Sequence, residues 1–379
     1  MSGLNSAQAM AIAIHEGKKG TGFVSPNPLV GCVILDAQRN LVATGYHHKV
    51  GHDHAEIDAL KKLKPEQIAG SHIYVTLEPC AHQGRTGSCA KALAPLKPAS
   101  VTYAVEDPNP LVAGQGAKIL RDAGVDADLL VNRKDLTADE ARELEAQAED
   151  LAEIFLHNMR AKEPFVAMKV ASSLDGKMAY ASGESKWITG EAARNHVHEL
   201  RARYDAIAVG RSTFVADDPS LNVRHANYPG FSNKAIVFDP EGETLKDIAK
   251  SNLLKVRSPE QVFVITDAKT STQNPSGVKV LKVPMQAPGD FMIEELLQQL
   301  KEHQITSVML EGGAQTYGAF FNAKKVRRLH VYLAPILLGS RSGLSWSHGF
   351  GGASMKERIE LKRVERQTFG PDEYWTARV

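Results

Sequence analysis

Two α/β domains in tandem are predicted by three observations. The chain has 379 residues, about twice the length of a typical domain. Short β-branched runs alternate with helical patterns along its length, the signature of α/β architecture. A helical stretch from Thr137, rich in Glu and Ala, runs out at Ala161-Lys162-Glu163-Pro164, where proline interrupts the pattern before a new strand. The expected division is 1–150 for the first domain, 151–163 for a helical linker and 164–379 for the second. Hydrophobic residues at 43% and charged residues at 23% supply material for two cores.

Charge and cysteine usage narrow the class. With 45 Lys+Arg against 44 Asp+Glu the net charge is +1, so composition offers no basic excess for a nucleic-acid partner. The three cysteines, Cys32, Cys80 and Cys89, are too few and too odd in number for a disulfide framework, and point to a reducing compartment. No stretch approaches the ~18 apolar residues of a membrane span. The expectation is a cytoplasmic protein acting on a small molecule, without nucleic acid or membrane, and with a homo-oligomer left open.

The first domain concentrates the chemistry. Ser6 is the expected cap of an opening helix whose apolar face carries Ala9, Met10, Ala13 and Ile14. Leu29 to Leu35 reads as a buried strand with Cys32 as a packed thiol, and Leu41 to Tyr46 as its hairpin partner. Four histidines, His47, His48, His52 and His54, then fall within eight positions. His54 is preferred as a ligand because Ala55 to Leu60 continues as a helix, with Glu56 in its first turn near the exposed amides. A lone H-x-E is common by chance, so the cysteines decide. Ser71 to Leu77 alternates like a strand and delivers Pro79-Cys80 at its end, while Cys89 opens the helix Ala90 to Leu93. One imidazole and two thiols suit a tetrahedral Zn²⁺ with one position open, and Glu56 is placed to move protons. H-x-E followed by P-C and a further Cys is the pattern of zinc deaminases. A nucleic-acid deaminase with an added domain and a zinc-stabilised interaction module are the alternatives at this point.

The second domain is less explicit. Pro164 to Val170 reads as a strand running into Ala171-Ser172-Ser173-Leu174-Asp175-Gly176-Lys177. Helix Glu191 to Arg201, strand Asp205 to Val209 and strand Ile305 to Leu310 follow. The last of these enters Glu311-Gly312-Gly313, a strand, glycine pair and helix that can cradle a phosphate. Trp187 reads equally well as a core residue or a site residue, and Arg201 and Arg224 singly as surface charges.

The long loop Pro79-Cys80-Ala81-His82-Gln83-Gly84-Arg85-Thr86-Gly87-Ser88-Cys89 resembles that of the bifunctional deaminase–reductases of riboflavin biosynthesis. Ser25-Pro26-Asn27-Pro28-Leu29-Val30-Gly31, Asp107-Pro108-Asn109-Pro110, K-V-A-S-S-L-D-G-K, S-G-E-S-K-W-I-T, A-D-D-P-x-L and E-G-G resemble the same family. The chain departs from it at Gly87-Ser88, where the family usually has prolines. The resemblance implies a cytidine-deaminase-like α/β/α domain followed by a dihydrofolate-reductase-like α/β domain. It implies Zn²⁺ on His54, Cys80 and Cys89, Glu56 as the proton carrier, and a phosphoribosylated diaminopyrimidinone as substrate. Asn27 and His47 match its pyrimidine contacts, and Arg85 its phosphate contact. In the reductase, residues matching Ala171, Trp187, Thr213, Asp217 and Gly313, Ala314, Gln315, Thr316, Tyr317, Gly318 and Ala319 contact NADPH. Those matching Ser185, Arg201, Leu221, Arg224 and Glu311 contact the sugar phosphate. Asp217 is the candidate near the hydride, with Lys169 and Glu311 as proton carriers.

Overall fold

The apolar run after Pro28 forms β1 (Gly31–Leu35) in the computed structural model, which describes residues 3–81, 87–108, 113–180, 182–339, 343–347, 349–351 and 354–379. The chain divides into two units, Met1–Lys162 and Glu163–Val379. In the first, β1 pairs antiparallel with β2 (Leu41–Tyr46) and β3 (His72–Leu77), and β4 (Ser100–Val105) and β5 (Asp126–Leu129) extend the sheet in parallel. The strand order is β2-β1-β3-β4-β5. The helices are α1 (Ser6–Lys18), α2 (Ala55–Leu60), α3 (Pro65–Ile68), α4 (Cys89–Leu93), α5 (Gln115–Asp122), α6 (Ala138–Leu151) and α7 (Glu153–Ala161).

Alternation along β1 separates two apolar layers, because successive side chains in a strand point to opposite faces. Cys32 and Ile34 join residues of α2, α4 and α5 in one core cluster. Val33 and Leu35 join Met10 and Ile14 of α1 and Leu144 of α6 in the other. The result is an α/β/α sandwich, each fully buried large side chain contributing about 1.5–3 kcal/mol. Cys32 is a packed core thiol, as its place in the run predicts. Asn5, not Ser6, caps α1. Its side chain accepts from the Gln8 amide, while Ser6 Oγ is engaged by Asp135 and Tyr74 at 2.9 Å each. The stretch read as a bridge contains α7, which belongs to the first unit and buries Leu156 in the α1/α6 layer.

The second unit is built on β6 (Phe165–Ser173), β7 (Lys177–Ala179), β8 (Ala206–Gly210), β9 (Lys234–Phe238), β10 (Val262–Asp267) and β11 (Lys279–Val283). The remaining strands are β12 (Met285–Ala287), β13 (Asp290–Phe291), β14 (Ser307–Gly312), β15 (Val326–Ala334), β16 (Leu344–Ser345), β17 (Lys362–Phe369) and β18 (Asp372–Arg378). The main sheet has the order β11-β10-β9-β8-β14-β6-β15-β18-β17. It is parallel from β11 to β15, and then β18 runs antiparallel to β15 and β17 antiparallel to β18. Its central parallel strands β8, β9, β10 and β14 are buried almost throughout, as β-branched runs flanked by helices should be, while the edge strand β11 is not. The helices are α8 (Glu191–Ala202), α9 (Arg211–Asp217), α10 (Asn252–Lys255), α11 (Ile293–Glu302) and α12 (Ala314–Asn322). The carboxyl ends of β6, β8, β14 and β15 therefore line one edge, where open α/β sheets bind their ligands.

Candidate active site

In the first unit the strand-to-helix joints bring the three soft ligands together. His54 is the residue before α2, Cys80 follows β3, and Cys89 is the first residue of α4. His54 Nδ1 lies 3.5 Å from Cys80 Sγ and 3.3 Å from Cys89 Sγ. The three donor atoms all fall within 4.8 Å of one another, the one such trio of metal-capable side chains among the described residues. One nitrogen and two sulfurs, converging with no fourth ligand among the described residues, fit a zinc ion with an open position. Two neighbouring histidines have partners of their own. His48 pairs with Asp58 at 3.2 Å, and His47 contacts Asn27 at 3.0 Å through Nε2 and the Asp53 carbonyl at 2.8 Å through Nδ1.

The loop between the cysteines is fastened at its far end. Ser88 Oγ donates to the Cys80 carbonyl at 2.7 Å and accepts from the Lys91 amide at 3.2 Å, so it caps α4 while fixing Cys80. A proline there could do neither, so the departure at Gly87-Ser88 exchanges ring rigidity for a hydrogen-bonded clamp. Arg85 lies outside the described residues. Helix α5 supports Cys80 from behind: a Cβ on Gly116 would sit 1.8 Å from the Pro79 carbonyl oxygen, so only glycine allows this approach. Glu78 is buried and accepts from the Gly114 and Ala117 amides at 3.0 and 3.2 Å, capping α5.

Glu56 sits in the first turn of α2, 4% exposed. Burial, reinforced by the neighbouring Cys80 thiolate, pushes its carboxyl up to about 7, the range in which a carboxyl both takes and gives a proton at neutral pH. The Cys89 thiol donates toward Cys80 and holds Cys80 well below the usual thiol range, so one sulfur is already a thiolate. Glu56, His54, Cys80, Asn27, His47 and Asp107 line a cavity of about 430 Å³. Its wall also includes Phe155 of α7, which sequence reasoning missed because a linker was expected there.

In the second unit a second cluster forms where β6, β8 and β14 end. Arg201 of α8 forks onto Glu311 of β14, with Nε to Oε1 at 2.6 Å and Nη2 to Oε2 at 2.8 Å. Lys169 Nζ of β6 is 3.9 Å from the same carboxylate. Burial alone would raise Glu311, but the Arg201 charge and hydrogen bonds, with Lys169, hold it down to about 2. Burial lowers the Lys169 ammonium pKa, with Glu311 opposing. Leu221 is buried with φ at +50°, and Arg224 is exposed, its guanidinium 2.7 Å from Asn222 Oδ1.

The glycine-rich joint fits a dinucleotide. A Cβ on Gly312 would lie 2.8 Å from Thr213 Oγ1, and Gly313 has φ at +95° with Thr316 Oγ1 3.1 Å from where its Cβ would stand. Glycine at both positions lets β14 turn tightly into α12, whose N-terminal end suits an anionic group. Within Gly313–Ala319, Ala314, Tyr317 and Gly318 are buried, and Tyr317 donates to the Lys169 carbonyl at 2.7 Å. Asp217 pairs with Lys186 at 3.1 Å, while Lys169 faces Glu311. Trp187 is 70% exposed beneath Arg194, 4.6 Å from the ring centroid, which settles it as a surface aromatic and not a core one. Ser185 is half-buried beside it, and Ala171 lies in β6 opposite Tyr332 of β15. No helix among the described residues is long and apolar enough to cross a membrane.

Comparison with known proteins matches these two sites separately. Residues 5–105 match the cytidine and deoxycytidylate deaminase zinc-binding region, and residues 164–373 match the RibD C-terminal domain. The riboflavin biosynthesis protein RibD of Actinobacillus pleuropneumoniae is 39% identical over 364 residues, 96% of this chain and 92% of that protein. Its counterpart from Escherichia coli is 35% identical over 375 residues, 96% of each. Among solved structures, Acinetobacter baumannii RibD aligns with a TM-score of 0.80 at 34% identity, covering 98% of both chains. The Thermotoga maritima diaminohydroxyphosphoribosylaminopyrimidine deaminase and 5-amino-6-(5-phosphoribosylamino)uracil reductase aligns with a TM-score of 0.82 at 29% identity, also over 98% of both. A zinc-binding deaminase unit joined to an NADPH-dependent reductase unit is thus shared along nearly the whole length, and the chain belongs to the RibD family of riboflavin biosynthesis.

Proposed function

We propose that one phosphoribosylated diaminopyrimidinone is processed twice by this chain, first deaminated to a uracil and then reduced from ribosyl to ribityl. The observation that carries the first step is Glu56: a buried carboxyl at about 7 in the cavity where His54, Cys80 and Cys89 converge. His54, Cys80 and Cys89 would hold a zinc ion, which would supply an activated water at neutral pH. Glu56 would take one proton from that water and hand it to the ring nitrogen, then take the proton of the hydroxyl newly bound to the ring carbon and give it to the amino group, which leaves as ammonia. Asn27 and His47, held together at 3.0 Å, present an amide and an imidazole to the pyrimidine edge. Arg85 is assigned the phosphate, for which a guanidinium is the suited partner.

For the second step a bound NADPH would supply the hydride that the sugar C1 accepts. Gly313 to Ala319, with Thr213, Ala171, Trp187 and Asp217, is assigned to the dinucleotide, and Ser185, Arg201, Leu221, Arg224 and Glu311 to the sugar phosphate. Of the two proton carriers expected, the geometry favours Lys169. Glu311 is locked as a carboxylate by Arg201, whereas Lys169 is a desolvated ammonium that releases a proton more readily. Lys169 then protonates the sugar oxygen that leaves C1 as the ring opens.

Supplying the substrate without NADPH should release ammonia and leave the sugar ring closed; adding NADPH should then oxidise one equivalent of it. Absence of ammonia release would sink the reading. We further assign a cytoplasmic location, supported by the small, odd cysteine count, and no nucleic-acid partner, supported by the net charge of +1. Salt-sensitive oligonucleotide binding would count against this. Whether the chain forms a homo-oligomer is answered by sedimentation.

A further inference from the structure

Three guanidinium groups converge on one short segment of the second unit. Arg201 Nη1 donates to the Asn222 carbonyl at 3.1 Å, Arg224 Nη1 to Asn222 Oδ1 at 2.7 Å, and Arg257 Nη1 to the Ser220 carbonyl. Arg201 has a carboxylate partner in Glu311. Arg257 has none among the described residues: its other bonds run to the Asn233 carbonyl at 2.7 Å and Asn233 Oδ1 at 2.8 Å, both neutral. Yet Arg257 is only 7% exposed. A buried guanidinium without an anion is costly, and it stays where the surroundings or a ligand compensate for the charge.

The backbone it holds is itself unusual. Asp218 and Leu221 have φ at +39° and +50°, left-handed values that side-chain-bearing residues adopt only when their surroundings impose them. Asn252 ties down the first of these, its amide to Asp218 Oδ1 and its Nδ2 to the Asp218 carbonyl, both at 2.8 Å. Arg257 ties down the stretch between them through Ser220. Burial lowers Arg257 to about 10, and repulsion from Arg201 adds to this, so the two cations sense each other through the segment. Arg224 is likewise lowered by partial burial and then by Arg201. Excess positive charge around Ser220–Arg224 is what a phosphate dianion would neutralise.

We propose that Arg257 is a positioning residue for the phosphate end of the reductase substrate: it fixes Ser220 to Asn222 so that Arg201 and Arg224 meet the phosphate, and adds a third positive charge behind them. This rests on the assignment of Arg201 and Arg224 to the sugar phosphate made above. A phosphate could also come from the dinucleotide, so the test separates the two sources.

Steady-state reduction is measured in the full-length protein with the deaminated intermediate and with its dephosphorylated form, for Arg257→Gln, Arg257→Lys and Arg224→Gln. Arg257→Gln should raise KM for the phosphorylated substrate about tenfold or more, mainly in KM and not kcat, and leave KM for the dephosphorylated form and for NADPH unchanged. Arg257→Lys retains charge without the fork and should recover part of the loss. Ammonia release by the first unit and the thermal transition of the second monitor folding; if Arg257→Gln fails to fold, Arg257→Lys carries the same comparison. Equal losses with and without the phosphate, or a rise confined to the NADPH KM, would overturn the proposal. If Arg224→Gln shows the phosphate-dependent loss and neither Arg257 variant does, only the role of Arg257 falls. If Arg224→Gln shows none, the phosphate assignment itself falls.

Discussion

Arg201 and Glu311 are joined by two parallel hydrogen bonds, 2.6 and 2.8 Å, with both side chains buried and Lys169 a further 3.9 Å away. Glu311 stays a carboxylate paired with the Arg201 guanidinium at any cellular pH, because its carboxyl is held at about 2. Removing it leaves Arg201 buried and unpaired. Glu311→Gln should destabilise the second unit by roughly 3–5 kcal/mol and abolish NADPH oxidation, with deamination retained. Denaturant titration of the two transitions checks this, and an unshifted second transition would contradict it.

Glu56→Gln removes the proton carrier but none of the three donors. Zinc content should stay at one equivalent while deamination falls by about 10²–10⁴ or more. Zinc measured by atomic absorption alongside ammonia release separates the roles, since loss of metal would make Glu56 a ligand.

Gly312→Ala places a methyl 2.8 Å from Thr213 Oγ1 and 2.9 Å from Thr213 Cγ2. The crowding should cost about 1–3 kcal/mol of stability and move the joint away from NADPH. Cofactor titration by nicotinamide fluorescence should show at least tenfold weaker binding, while deamination is unaffected. Unchanged affinity would remove this joint from the cofactor site.

Acid should weaken the second unit before it weakens its carboxylate pairs. Burial lowers His196 and His198 each to about 4, and His330 further. In the unfolded chain histidine titrates near 6.5. Between those values the unfolded state binds more protons, so stability is lost as pH falls from about 6.5 to about 4. The contributions of Glu311 and Asp175, both lowered to about 2, start to be lost only near the acid end of that window, as pH falls through their unfolded values of 4.5 and 3.8. The thermal midpoint of the second unit should drop steadily over that range, and His198→Asn should flatten the slope. A midpoint that rises on acidification would refute the assignment.

The zinc trio was legible because its residue types are rare and chemically committed. Two of three cysteines and a histidine before a helix leave few other readings, and the fold brings them within 4.8 Å. Strand alternation likewise revealed the layers on either side of β1, since period two is set by backbone geometry. Less was visible where a common residue acts through its surroundings. Arg257 is one arginine among many until Ser220 and Asn233 are seen to surround it. Trp187 reads equally well from the sequence as a core or a site residue, and only the fold, which exposes it, removes the core reading. The choice between Lys169 and Glu311 depended on which of them Arg201 holds, a contact spanning 110 positions for Glu311.

The position of Phe155 bears on how the two activities can be separated. A deaminase cut at residue 150 would end inside α6 and discard α7, taking with it an aromatic wall of the zinc cavity and the buried Leu156. Such a fragment would keep every metal ligand and still present a breached pocket. Splitting the gene product into two independently expressed enzymes therefore calls for a cut after Lys162, where the first unit ends.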